Sequence, residues 1–271
     1  MSIEASLPPS LAPLGTRRSL PALRTISALM LREMTTRFGR RPGGYVWALL
    51  QPLGVIIIMA FAFSLLSRSP ALGTSFLLFK ATGMMVFQMF RVTSRTVGNA
   101  LGFSRALLTY PGVTWLDAVL ARFLLNALVT VLVTIVILTG IVLFDGLRPT
   151  LDWPSVVLAM VLAALLGLGF GTLNAFLFER FDIWENIWNI FSAPLMIISG
   201  VLMLYENLPQ IAQEWLWYNP LLHLTGMMRE GFYSTYHPQY VSVSLVMVFA
   251  LLPLVMGLIL LRRYHRDLLT R

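Results

Sequence analysis

The only lysine of the 271-residue chain is Lys80, and its setting rules out one kind of chemistry at once. It stands between Phe79 and Ala81 with no glycine-rich loop before it, whereas a Walker A loop needs a glycine-cradled Lys-Ser/Thr pair to hold nucleotide phosphates. This chain therefore has no such ATP site. There is no cysteine, so disulfides, thiolate metal sites and cysteine nucleophiles are excluded, and His223, His237 and His265 are too scattered to suggest a metal centre. Carboxylates are absent from the middle of the apolar blocks, which disfavours proton or sodium coupling, although Pro194 and Pro253 could kink their helices. No His, Asp or Cys cluster at membrane depth favours an embedded enzyme. Cations and aromatics remain. Gln88, Arg91 and Arg95 follow at steps of three and four, on one helical face with Met84. Arginines there either snorkel to lipid phosphates or meet an anionic substrate at the mouth of a path.

The elements that must position these residues follow from composition. The chain is 57% hydrophobic and 12% charged, with a mean hydropathy of +0.77. A soluble domain is about 45–50% apolar and about 25% charged. The net charge of +8 would suggest nucleic acid in a soluble protein, but here the basic residues flank apolar blocks, as membrane topology requires. The blocks approach the roughly 20 residues that a bilayer core asks of a helix and give six spans, at about 43–66, 76–97, 115–144, 154–178, 187–204 and 241–261. The second is the least apolar, because it holds Lys80, Arg91 and Arg95.

Arginine placement sets the orientation. Arg17, Arg18, Arg24, Arg32, Arg37, Arg40 and Arg41 precede the first span, Arg105 and Arg122 flank the connection from the second to the third, Arg180 follows the fourth, and Arg262, Arg263, Arg266 and Arg271 end the chain. The opposite loops hold Arg68, Arg148 and Arg229. Both termini are then cytoplasmic, which needs an even number of spans. Residues 1–20, with Pro8, Pro9 and Pro13 and no early apolar run, read as a disordered cytoplasmic tail rather than a cleaved signal peptide. The rest, 21–271, reads as one membrane domain. Within it residues 21–41, with Leu23, Ile26, Met30, Met34 and Phe38 at helical spacing, predict an amphipathic helix along the cytoplasmic interface.

Three connecting features complete the reading. Ala163, Gly167, Gly171 and Ala175 repeat at four-residue steps, a small-residue stripe that lets another helix approach, within one subunit or between two. The stretch from Gly98 to Asp117, turning at Tyr110-Pro111-Gly112, is semi-apolar and cytoplasmic, either a docking surface or a plain interfacial hairpin. The charged turn Glu179 to Asn186 could pair its own charges. The longest outer loop, Tyr205 to Tyr240, carries Trp215, Trp217, Tyr218, Tyr233 and Tyr236, amphipathic rings suited to a membrane interface.

With these elements in place, the chain resembles the membrane subunit of an ABC type 2 exporter, most closely the inner-membrane permease that exports capsular polysaccharide. The likeness rests on Arg32-Glu33-Met34-Thr35-Thr36-Arg37-Phe38-Gly39 followed by Gly44-Tyr45-Val46-Trp47-Ala48-Leu49-Leu50-Gln51-Pro52, on Leu107-Leu108-Thr109-Tyr110-Pro111 and on Ser199-Gly200. It is most specific in Trp217-Tyr218-Asn219-Pro220-Leu221-Leu222-His223 and Arg229-Glu230-Gly231-Phe232-Tyr233. The resemblance implies an all-α integral membrane protein of the bacterial inner membrane, with short outer helices re-entering the membrane before the last span. It implies a homodimer paired with two copies of a separate ABC ATPase. That partner would hold ATP and magnesium, and this chain would bind no cofactor and catalyse nothing. The cargo implied is a lipid-linked, acidic polysaccharide passed on to periplasmic and outer-membrane export proteins. Arg105, Leu108, Tyr110 and Pro111 would lie on a coupling segment against the ATPase, braced by the helix of Arg32 and Arg37. Trp184, Trp188, Trp217, Tyr218 and Tyr233 would join Gln88, Arg91 and Arg95 along the path, where rings can stack on sugar faces or, alternatively, anchor at the interface. Other cargoes of the same class (O-antigen, teichoic acid, lipid or drug) and a non-transport membrane scaffold are the alternatives.

Overall fold

The computed structural model of the chain describes residues 21–37, 44–66, 69–108 and 112–269. Regular structure among them is helical: α1 (Pro21–Arg37), α2 (Gly44–Leu66), α3 (Phe76–Gly98), α4 (Ala100–Leu108), α5 (Trp115–Phe144), α6 (Trp153–Arg180), α7 (Trp184–Ile198), α8 (Gln210–Leu216), α9 (Pro220–Glu230) and α10 (Val243–Leu269), with a 3₁₀ turn at Tyr205–Asn207. The expected tail 1–20, and the end of the expected interface helix beyond Arg37, lie outside the described residues.

Among the described residues four helices are long and apolar enough to cross a bilayer, over Val46–Leu65, Trp115–Phe144, Trp153–Arg180 and Val243–His265. The other two expected spans differ from these. α3 has the length, 23 residues, but carries Lys80, Arg91 and Arg95. α7 has 15 residues, about 22 Å of helix against a hydrocarbon core of about 30 Å. The expected stretch 187–204 is not one helix, because the chain leaves the helical path at Ser199 and turns at Gly200, whose φ is +74°. A side chain at Gly200 would also meet Leu222 Cδ1 at 2.7 Å and Thr225 Oγ1 at 3.0 Å.

The least apolar of the long helices is the most enclosed. Every residue of α3 from Leu78 to Phe90 is buried, under α2, α5, α6 and α9. Lipid offers no hydrogen bonds, so a helix with Thr82, Gln88, Thr93 and Ser94 is best placed where other helices cover it. Ser75 caps its start by accepting from the Leu78 N–H, and also donates to the Asp145 carboxylate at the end of α5. At the opposite end of α5, Thr114 and Asp117 form a reciprocal capping box.

α6 is the second organising helix, held between α3 and α10 on glycine-bearing faces. A Cβ on Gly167 would lie 2.7 Å from Thr93 Cβ and 3.1 Å from the Phe90 carbonyl oxygen, and one on Gly171 2.7 Å from Val97 Cβ. Ala163 and Ala175 are fully buried. The small-residue stripe thus faces α3 of the same chain. Toward α10, Gly169 abuts the Ala250 carbonyl, and Gly257 lies against the Thr172–Leu173 backbone, where a Cβ would come within 2.6 Å. Close backbone approach of this kind supplies packing between helices where lipid provides no hydrophobic drive.

These contacts set a graded expectation for glycine-to-alanine variants. Gly169→Ala, pressed onto backbone, should cost about 1–3 kcal/mol through overpacking and lower the melting temperature of the detergent-solubilised protein. Gly140→Ala, with nothing within 4 Å, should leave it unchanged or slightly raised. Equal melting temperatures for the two would contradict this packing.

Candidate functional site

Two groups of polar residues mark the ends of α3. At its N-terminal end Lys80 is 2% exposed, and its Nζ donates to the Leu202 carbonyl at 2.6 Å while lying 3.5 Å from the centre of the Phe63 ring of α2. Arg229 of α9, expected as an outer-loop charge, is instead 1% exposed. Its guanidinium donates to the carbonyls of Val201 (3.2 Å) and Met203 (3.4 Å) and sits 4.0 Å from the Phe79 ring centre. Both cations thus converge on the carbonyls that follow the C-terminal end of α7, where the helix dipole is negative. Burial pulls the Arg229 guanidinium down to about 10, and the surrounding Tyr240, Tyr236, Tyr233 and Glu206 oppose that fall, so it stays charged at neutral pH.

The motifs Ser199-Gly200, Asn219-Pro220 and His223 meet at this same turn. The Asn219 side chain accepts from the Leu221 N–H as the N-cap of α9, and its Nδ2 donates to the Ile198 carbonyl at 3.0 Å. One residue therefore caps the end of α7 and the start of α9. Thr225 Oγ1 donates to the Ser199 carbonyl at 2.9 Å. His223 Nε2–H donates to the Trp217 carbonyl (2.6 Å) and Nδ1 accepts from the Ser242 N–H (3.1 Å), a pair of bonds that only the neutral, Nε2-protonated ring can make. The Tyr236 hydroxyl donates to both Glu206 oxygens at 3.0 and 3.2 Å, and burial foremost pushes that phenol well above its usual range, keeping it a donor.

Toward the other end, α3 presents Gln88, Arg91, Arg95 and Asn99 along one face. Gln88 is buried, Arg91 half-buried and Arg95 exposed. Asn99 Nδ2 donates to Glu185 Oε1 in the first turn of α7 at 3.4 Å. Glu185 thus reaches across to the end of α3. Trp184 Nε1 donates to Asn174 Oδ1 of α6 at 3.1 Å. Trp188 stacks on Phe170 of α6 at 5.7 Å and 29°, and Phe170 meets Phe90 of α3 edge-on at 5.8 Å. Phe90, Phe170 and Trp188 thus form a chain of rings from α3 through α6 to α7. Gln88 Oε1 and Asn174 Nδ2 are buried with no hydrogen-bond partner among the described residues.

Comparison with known proteins gives this arrangement a place. Residues 24–233 match the family described as ABC-2 type transporter. The chain belongs to the ABC-2 type transporter family. It is 29% identical over 247 residues to the polysialic acid transport protein KpsM of Escherichia coli, an alignment covering 91% of this chain and 95% of that one. It is 26% identical over 244 residues to the capsule polysaccharide export inner-membrane proteins BexB of Haemophilus influenzae and CtrC of Neisseria meningitidis, covering 90% of this chain and 92% of each of those. As a member of this family, with its apolar helices, it is a multi-pass protein of the inner membrane.

Within this ABC-2 chain the remaining expected site residues are dispersed. Tyr218 is exposed and meets Trp217 edge-on at 5.3 Å, while Trp217 Nε1 is tied to the Tyr240 carbonyl at 3.1 Å. Tyr233 is turned inward beneath Gly73, and its hydroxyl has no partner among the described residues. Among the described residues no ring contact joins these three to Trp184 or Trp188. On α4, Arg105 is exposed and Leu108 packs beside Leu101, Ala175, Phe176 and Leu261. Arg32 of α1 lies 5.7 Å from the Phe103 ring centre of α4. Tyr110, Pro111 and the Arg37 side chain lie outside the described residues.

The His223 geometry predicts a pH dependence. Burial pushes the imidazole below its usual 6.5, with backbone hydrogen bonds to Trp217 and Tyr240 opposing. Below that value the unfolded chain gains a proton that the folded ring refuses, so stability falls on acidification, by up to about 1.4 kcal/mol per pH unit until the lowered folded value is reached. The melting temperature of the purified protein should drop between pH 7.5 and pH 5.5, and the drop should shrink in His223→Gln. An identical drop in that variant would remove His223 as its source.

Proposed function

We propose that this chain is the permease subunit of an ATP-driven exporter that carries a lipid-linked, acidic polysaccharide across the bacterial inner membrane. The observation that carries the reading is the near full-length similarity to relatives named for capsule polysaccharide export and polysialic acid transport, within a family match over residues 24–233. The basic face of α3 supports an acidic cargo: Arg91 and Arg95 follow the buried Gln88 on it, and a cation that is not fully buried can meet an anionic sugar.

In this reading α3, and α7 together with the chain that follows it to Leu204, cross the membrane with the four long helices, making six spans with both termini cytoplasmic. α8 and α9 re-enter from the outer side. Two copies pair around a shared path, and two copies of a separate ABC ATPase, holding ATP and magnesium, dock from the cytoplasm on the α4 segment with α1 bracing it. Nucleotide-driven closure of the ATPases shifts α4, and the paired permeases exchange inner for outer opening. The cargo passes on to periplasmic and outer-membrane export proteins.

Two experiments bear on this. Affinity purification of the tagged chain from its native membranes should bring an ABC ATPase with it in equimolar amount, and deletion should remove an acidic surface glycan. A lone, nucleotide-indifferent chain would sink the exporter reading, whereas loss of a different glycan, lipid or drug efflux would overturn only the cargo. Arg95→Ala should lower export about tenfold, equivalent to about 1.4 kcal/mol, at unchanged membrane abundance. Normal export would assign Arg95 to the lipid phosphates instead.

A further inference from the structure

Arg122, in the second turn of α5, joins four helices through one guanidinium. Its Nε donates to both carboxylate oxygens of Glu33 on α1, each at 3.2 Å. Its Nη1 donates to the carbonyls of Thr96 (3.0 Å) and Asn99 (2.7 Å), at the place where α3 ends and α4 begins. Its guanidinium lies 4.2 Å from the ring centre of Phe103 on α4, and Arg32 of α1 approaches that same ring. Glu33 is 2% exposed and Arg122 8%.

Each contact has a physical reason. The break at Asn99 turns carbonyls at the C-terminal end of α3 toward α5, and a cation there adds a hydrogen bond to Thr96 and a second one to Asn99, which also accepts from the Phe103 N–H, and matches the helix dipole. The resulting buried positive charge needs a buried negative partner, which Glu33 supplies from a helix 89 residues earlier in the chain. Only a guanidinium has enough donors in a planar fork to serve the carboxylate and the carbonyls while laying a face on a ring. An ammonium could keep the ion pair but not the set.

We propose that Glu33 and Arg122 are a positioning pair that makes α1 and α4 move as one body with the cytoplasmic ends of α3 and α5. A push received at α4 then reaches the base of α3, with its basic face, without being lost in the short hinge at Asn99. This rests on the exporter reading for the source of the push. The mechanical linkage itself is a property of this chain alone.

The absence of native cysteine allows both parts to be tested separately. Spin labels at Leu31→Cys on α1 and Ala106→Cys on α4, in the otherwise unaltered chain purified with whatever accompanies it, should report one narrow distance that nucleotide does not change. Arg122→Lys and Glu33→Gln should broaden that distance, and should lower export to less than about a tenth of the parent at equal membrane abundance while ATP hydrolysis continues. Because distances are read per purified molecule, reduced accumulation does not obscure them, and Glu33→Asp offers a milder case. A distance as narrow in the variants as in the parent, or export undiminished by both, overturns the proposal. Absence of any ATPase would sink the exporter reading while leaving the distance test intact.

Discussion

In a multi-pass membrane protein a long helix that carries charged and amide side chains has to be covered by its own protein, and the rest of this fold is arranged around that need. α3 buries Lys80 near one end and Gln88 further along, neither of which hydrocarbon can satisfy, while Arg91 is half-buried and Arg95 exposed toward the other end. Its burial under α2, α5, α6 and α9 follows. The two glycine-bearing faces of α6 let α3 and α10 come close enough to close the bundle on either side. The longer apolar helices keep wide lipid-compatible surfaces, as the exposed Ile58 and Phe61 of α2 and Leu132 and Ile135 of α5 illustrate.

The two ends of α3 solve the same problem with different partners. At one end Lys80 and Arg229 lie against backbone carbonyls and the Phe79 ring, with Glu206 held one step away through Tyr236. At the other, Arg122 uses a true counter-ion, Glu33. Charge held by carbonyl dipoles costs more than charge held by a carboxylate. It is also more tightly tied to a single backbone conformation, here the turn after α7.

Much of this was legible in the sequence wherever the cause was local. Four long apolar blocks were plain, and their observed bounds differ from the hydropathy reading by a few residues. The ordered motifs around Asn219 and Arg229 were also plain as a resemblance, although their structural meaning was not. Asn219 is legible as an N-cap before Pro220, but nothing in the sequence says that it also caps a helix ending at Ile198. The fifth block looked long because Val201 to Leu204 is apolar. The glycine at 200 was the signal for a stop there, and its force depends on Leu222 and Thr225. Arg229 looked like an outer-loop charge because its carbonyl partners lie 26 and 28 residues earlier. The capping pair Thr114 and Asp117 was a missed local signal, a Ser/Thr-x-x-Asp/Glu pattern directly ahead of an apolar run.

The contact between Lys80 and the Leu202 carbonyl spans 122 residues of chain. During synthesis, then, α3 leaves the ribosome long before the carbonyl that receives its ammonium exists. A nascent helix with an uncovered ammonium and two arginines is rejected by hydrocarbon, while α5 and α6 behind it are accepted on their own account. The burial of α3 is complete only when the turn after α7 and then α9 have been made and closed over it.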